Sequence, residues 1–525
     1  MMANDNKSNS NGILYMKNTS LMKQLNIERV REDTQKLRAA FIENVDQQLA
    51  GLMDDAISKL GDQIELSSDY DNLNKKNLKN VDGKNNELPD KIFVQRDSLL
   101  TELLKINHIQ TIYNIFVAVL MLLFLNTILY DFVDSGKINF DFDMMTYAFG
   151  KGQTVLTVWV LMKLSLIAVL FPTFHFWAHY RSHLKCLYSP DLCFLTLYII
   201  FICGLMVLPV RVIIHEEIPP ASAVIILSEQ VRLIMKAHAF VRENVPRAIK
   251  FKFHQDGDKS LDSPCPDFGK FLYFLFVPTL IYRDNYPRTS SVCWKYVAVN
   301  FIQVLACLFY IYYIFQRFCV PIFRRFGHER FTPKGLLLSV FGCMMPGTLV
   351  LLITFFALLH SWMNAFAEML RFADRMFYKD WWNSTSFSNY YRTWNVVVHD
   401  WLYTYIYKDL YKLTGSKKMG PMFIVFILSA FVHEYILTFA FRFFYPVLLL
   451  LFGGFGVLFV FLTNKGKARS WNVFMWTALF MGTGLLMSLY SMEWYARSNC
   501  PVKINSFVDY LIPRSWTCDA FTRDN

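Results

Sequence analysis

Charged side chains are scarce in this chain. Asp, Glu, Lys and Arg make up 18% of its 525 residues, where an ordinary soluble domain carries about a quarter. That deficit argues against a string of solvated domains, although the length alone would allow several. Other features are missing too. No C-x-x-C pair is present, and HEYIL (433–437) lacks the second histidine of H-E-x-x-H, so no metal centre is expected. No internal repeat is visible, which argues against the duplicated halves of many transporters. The start, MMANDNKSNSNG, has no apolar stretch of the kind a cleaved leader needs, so none is expected.

What the chain has instead is grease. Apolar residues reach 54%, with 49 Phe and 27 Tyr. A helix needs about 20 largely apolar residues to cross a bilayer. Eight runs approach that length: Ile112–Tyr130, Val155–Phe171, Leu192–Val210, Tyr296–Phe315, Leu336–Leu359, Phe423–Ala440, Val447–Leu462 and Val473–Leu489. The sequence therefore specifies an all-α polytopic membrane protein. Its formal charge of +11 suits cytosolic Lys and Arg that set topology. The same charge would also suit anionic lipid or an anionic ligand. Nucleic acid is not an expected partner.

Three regions follow from the pattern. Residues 1–66 form a cytosolic segment whose helix carries Leu37, Phe41, Val45, Leu49 and Leu52 on one stripe, with Gly61 as its stop. Such a stripe must be covered, and self-association is the favoured cover over the membrane surface. Residues 67–97 read as a flexible linker, rich in Asn, Asp and Lys as far as residue 90. Residues 98–525 form the membrane-embedded domain. Within it, residues 219–247 read as an amphipathic helix lying in the interface, because Glu229, Arg232 and Lys236 recur along it. Residues 270–288 are short and aromatic, interfacial or re-entrant.

One stretch, Trp394–Lys408, is an ambiguous ninth span. It carries Asn395, His399 and Asp400, and polar groups at membrane depth usually face a protein-lined cavity. Counting it puts the two termini on opposite sides. Cys500 and Cys518 flank a polar tail; if that tail is lumenal they can form a disulfide, and if cytosolic they stay reduced. The other cysteines near apolar runs, such as Cys193, Cys203 and Cys307, read as small hydrophobes.

His433 is the sharpest single signal. It sits midway along the apolar segment Ser429 to Phe439, SAFVHEYILTF. A lone histidine on an apolar face is often a satisfied core group, but an ionisable residue inside a membrane is a functional candidate by default. Asn395 and His399, four residues apart and so on one helix face, offer companions.

The segments FYKDWWN (377–383) and WNVVVHDW (394–401), together with His433, closely resemble the sterol O-acyltransferases of the membrane-bound O-acyltransferase superfamily. The resemblance extends over nearly the whole membrane region, including LYFLFVPTLIYRDNYPR, KAHAFVRENVPR and EWYARSNCP. FYxDWWN alone is shared with the diacylglycerol acyltransferases; the longer runs favour the sterol branch. The resemblance implies about nine membrane helices around a reaction chamber and an endoplasmic reticulum location. It also implies a cytosolic N-terminus, a lumenal C-terminus and dimers that pair into tetramers. It implies long-chain acyl-CoA and cholesterol as substrates, with no cofactor. It assigns His433 as the catalytic base and Asn395 as its partner, and ranks His399 below them. Asn389, Tyr391, Tyr407 and Ser429 are implied to line the acyl-CoA path, with Lys417 and Lys418 meeting CoA phosphates.

The chemistry fits those roles. A sterol hydroxyl must lose a proton as it attacks the thioester, and an imidazole is suited to take it. The thiolate leaves readily, so neither acyl-enzyme nor metal is required. Within Phe377, Tyr378, Asp380, Trp381, Trp382 and Asn383, the expectation is structural: the tryptophans pack and Asp380 caps or pairs locally. Asn383-Ser384-Thr385 is a glycosylation sequon that stays unmodified if this window faces the cytosol.

Overall fold

The structure is a computed structural model that describes residues 88–136, 142–181, 188–251, 263–328, 332–415, 419–463, 468–500 and 508–516. The expected N-terminal helix of residues 1–66, Lys417, Lys418 and Cys518 lie outside the described residues. The chain divides into two compact units, Met1–Asp90 and Lys91–Asn525, and the second holds every described helix. Residues 91–97, read from the sequence as the end of the linker, belong to this second unit. There Arg96 takes its place by pairing with Asp374 at 2.6 Å.

Among the described residues the chain is helical, with two isolated bridges and no strand. Apolar runs in lipid must satisfy their backbone internally, and the helix does so within one segment. Seven helices are long and apolar enough to cross a membrane. They are α1 (Asn107–Ser135), α2 (Asp143–Arg181), α3 (Tyr188–His215), α6 (Trp294–Phe323), α7 (Pro333–Met369), α10 (Met419–Phe441) and α12 (Ser470–Asn499). A shorter apolar helix, α11 (Leu449–Thr463), carries the remaining expected run. Between them lie α4 (Pro220–Lys250), α5 (Phe268–Phe276), α8 (Phe387–Trp394) and α9 (residues 396–413). The Trp394–Lys408 stretch is thus broken at Asn395, whose φ of −136° separates α8 from α9.

Helix α4 departs from a simple interfacial helix. It packs against α2, α3 and α10, and its polar residues turn into the protein. Glu229 pairs with Lys163 of α2 and, at 2.7 Å, with Arg232. Lys236, fully enclosed, donates to the carbonyls of Phe274 and Val277, the latter at 2.8 Å. Those carbonyls end α5, where a cation is favoured. Gln230 has a different duty. Pro209 in α3 has no N–H to return to the carbonyl one turn back. The Gln230 amide fills that gap, donating to Leu205 at 2.8 Å and Met206 at 2.7 Å. Its own oxygen accepts from Tyr435 of α10 at 2.8 Å. Three helices are joined through one side chain.

Candidate active site

Helix α10 carries His433 near its middle. The imidazole Nδ1 lies 2.7 Å from the carbonyl oxygen of Ser429, one turn back. A carbonyl only accepts, so Nδ1 carries the proton and Nε2 of the neutral ring is left as a free base. The side chain is exposed, and three exposed apolar residues of its helix lie on a different face. Ile424, Ile427 and Phe431 sit about 120–180° around the axis from it, at roughly 100° per residue, while Phe423 and Met419, further back along the helix, sit about 80° and 40° from it. The His433 ring itself lies against the return helix.

That return helix is α11, which runs back along α10 after the turn at residues 442–447. Small residues let the two approach: a Cβ on Gly453 would stand 3.3 Å from that of Ala430. Phe452 then reaches His433, with ring centroids 5.6 Å apart. The same Phe452 ring meets Tyr391 of α8 at 4.9 Å, and Tyr391 meets Phe426 of α10 at 5.1 Å. Gly456 makes room for the Tyr391 hydroxyl, because any Cβ there would overlap it. His433 and Tyr391 thereby meet at one aromatic, Phe452, which the sequence did not single out.

Asn395 stands at the start of α9. Its Oδ1 accepts the Val398 N–H at 3.1 Å, a helix cap of the usual kind. Its Nδ2 donates to no described residue and so is available to a bound molecule. His399 lies one turn on, with Nδ1 3.4 Å from Asp400, which pairs with Lys91 at 2.7 Å. From His399 a ladder of near-parallel rings runs along α9 through Tyr403, Tyr407 and Tyr411, with centroids 6.3, 5.7 and 6.0 Å apart. No hydrogen bond joins His433 to Asn395 or His399 among the described residues.

The FYKDWWN window supports this site from behind. Trp381 is 1% exposed and is ringed by Phe355, Trp382, Tyr390, Trp394 and Trp476, with Trp394 nearest at 4.6 Å. Tyr378, also enclosed, shares a hydrogen bond of 2.7 Å between its hydroxyl and Nδ1 of His360. Asn364 and Ser98 close the same buried cluster, a second intramembrane histidine site that the sequence reading passed over. Phe377 is enclosed, while Asn383 is exposed. Asp380 corrects the expectation of a local cap: it precedes a short 3₁₀ turn but its side chain caps nothing there, and it is exposed.

The remaining residues divide. Asn389 is exposed and donates to Ser384 at 2.9 Å. Tyr407 is half-buried within the ring ladder. Cys500 is disulfide-bonded. Lys417, Lys418 and Cys518 lie outside the described residues. Burial pushes the Cys265 thiol, in the segment before α5, up to about 12. Among the described residues no group of three His, Cys, Asp or Glu is placed to hold a metal.

Comparison with known proteins matches this architecture to a family. The sequence pattern of the membrane-bound O-acyltransferase family matches residues 143–492. Sterol O-acyltransferase 1 of Mus musculus is 46% identical over 525 residues, covering 97% of this chain and 94% of the relative. The protein of that name from Cricetulus griseus is 51% identical over 433 residues, covering 82% and 78%. Sterol O-acyltransferase 2 of Mus musculus is 45% identical over 489 residues, covering 92% and 91%. With most of its length matched in this way, the chain belongs to the membrane-bound O-acyltransferase family.

Proposed function

We propose that this multi-pass membrane protein transfers a long-chain fatty acyl group from acyl-CoA to the 3-hydroxyl of cholesterol, forming cholesteryl ester and CoA. The names of its relatives support the substrates. The observation that carries the mechanism is the His433 imidazole, with Nδ1–H given to Ser429, Nε2 without a hydrogen-bond partner among the described residues, and the ring set against Phe452 of the return helix. Nε2 takes the sterol hydroxyl proton as the oxygen attacks the thioester carbonyl. The Asn395 Nδ2–H donates to the oxygen on which negative charge develops. Collapse expels the CoA thiolate, which takes the proton back from the imidazolium. Acyl-CoA is consumed as a substrate, and no resident cofactor is invoked. Holding both substrates in a site that excludes water guards the thioester and aligns the attack.

The proposal extends to Asn389, Tyr391, Tyr407 and Ser429 along the acyl-CoA path, with Lys417 and Lys418 at its cytosolic mouth and His399 steadying Asn395. It also takes in an endoplasmic reticulum location, a cytosolic N-terminus and a lumenal C-terminus carrying a Cys500–Cys518 disulfide. Residues 1–66 would drive dimer or tetramer assembly.

The test is esterification by purified protein supplied with labelled acyl-CoA and either cholesterol or diacylglycerol. Wild type should prefer cholesterol, and His433→Ala should lose roughly 100-fold or more in kcat while still binding acyl-CoA. Preference for diacylglycerol would refute the substrate, and an active His433→Ala would refute the base.

A further inference from the structure

His433 and Glu434 are neighbours in the chain but face different ways. The Glu434 side chain is buried at 3% exposure, and among the described residues no hydrogen bond joins it to the imidazole. It could not serve as the imidazole's carboxylate partner through Nδ1, because Nδ1 is already given to the Ser429 carbonyl. Instead Glu434 reaches across to the start of α11. Its Oε2 accepts the Leu449 N–H at 3.0 Å. Both its oxygens lie 3.1 Å from the Tyr490 hydroxyl of α12, which donates to them. That hydroxyl in turn accepts the Leu448 N–H at 3.3 Å. A helix N-terminus presents unpartnered amides and favours negative charge, so a carboxylate here holds the end of α11 firmly.

The consequence runs along α11. Phe452 stands three residues beyond the capped amide, and its ring lies against His433 at 5.6 Å and Tyr391 at 4.9 Å. The next residue, Gly453, is in close contact with Ala430 of α10. The register of α11 along α10 therefore decides whether Phe452 meets the imidazole, and the Glu434 cap is the polar tie that fixes that register.

We propose that Glu434 is a positioning residue for the acyl transfer: by capping α11 from α10 it seats Phe452 against His433 and so sets where Nε2 points. The inference rests on the reading of His433 as the base. It makes the His-Glu pair a base and its fastening, set on different sides of one helix.

The experiment measures kcat, the KM for acyl-CoA and the pH profile of kcat on the full chain in detergent or lipid discs. The variants are Glu434→Ala, Glu434→Gln and Phe452→Leu. Glu434→Ala should lower kcat about 10- to 100-fold, the scale of a small misplacement of a reacting group. KM for acyl-CoA should stay within about threefold, because binding and chemistry separate in such a defect. Glu434→Gln should recover most of the rate with an unmoved pH profile, since its amide oxygen still accepts from Leu449. Phe452→Leu should reproduce the kcat loss, and adding it to Glu434→Ala should lower kcat no further. Wild-type kcat in Glu434→Ala or Phe452→Leu would overturn the inference. So would a Glu434→Gln variant as slow as the alanine with a displaced pH profile, since that would make the carboxylate a proton carrier. Where Glu434→Ala does not accumulate as folded protein, Phe452→Leu decides alone. His433→Ala is run alongside: if it keeps esterifying, the underlying reading falls. If it is dead while Glu434→Ala is normal, only the positioning role falls.

Discussion

Adding one methyl group at Gly456 should slow the enzyme more than it unfolds it. A Cβ there would overlap the Tyr391 hydroxyl, whereas the ring carbon Cζ would stand 3.5 Å away, an ordinary contact. The conflict is confined to one oxygen. Tyr391 has little room to retreat, being held edge-on to Phe426 at 5.1 Å and Phe452 at 4.9 Å. Overfilling such a site costs about 1–3 kcal/mol. Alanine is the better helix former by about 1 kcal/mol, which offsets part of that. The net loss of stability is then about 0–2 kcal/mol, a small signal. The displacement itself is the larger one, because it passes through Phe452 to His433, 5.6 Å further on. A shift approaching 1 Å at the base can lower the rate up to about 100-fold. The assay compares kcat and thermal unfolding for Gly456→Ala, Tyr391→Phe and the pair combined. Removing the hydroxyl removes the clash, so the double variant should match Tyr391→Phe alone. If Gly456→Ala lowers kcat by the same factor with or without the hydroxyl, the contact is not the cause and the reasoning fails.

Three further outcomes are expected. Asn395→Asp keeps an acceptor for the Val398 N–H but loses the donor, so folding should persist while kcat falls about 100- to 1,000-fold, the range for a lost oxyanion donor; normal kcat would leave Asn395 as a helix cap only. Gln230→Leu strands the Leu205 carbonyl and the Tyr435 hydroxyl, and each buried orphan costs about 1–3 kcal/mol, so the unfolding midpoint in detergent should drop; an unchanged midpoint would show that the Pro209 gap needs no filling. Burial that pushes Cys265 up to about 12 keeps its thiol protonated at pH 8, so maleimide should label exposed Cys293 well before Cys265, and equal labelling rates would contradict that burial.

The sequence made the helices legible because apolar runs of spanning length have few other uses. Each of the eight runs lies on a helix, down to the short one that became α11. His433 was legible for a related reason: one ionisable group in a greasy helix is conspicuous. Its setting was not. Phe452 looks like any phenylalanine in LLLFGGFG until folding lays α11 along α10. Gly456 has no signal of its own, since its need arises from a tyrosine sixty-five residues earlier. The amphipathic reading of α4 found its polar face but not its destination, because charges along a helix look the same whether water or another helix receives them. Gln230 answers a proline in a different helix, a pairing no local pattern encodes. Asp380 misled for the opposite reason: a carboxylate ahead of a short turn looks like a cap, and here it is not one.

The hydrogen bond from Tyr435 to Gln230 has a mechanical meaning. Tyr435 projects from α10 about 160° around the axis from His433, at the usual angular step per residue. Pinning one side of a rod prevents it from rolling, and so holds what is mounted on the opposite side. A roll of only about 10° would carry an atom 5–6 Å from the axis through about 1 Å. An amide lodged at a proline break in α3 thus acts as a brake on α10, and the aim of the imidazole is governed from the far side of its own helix.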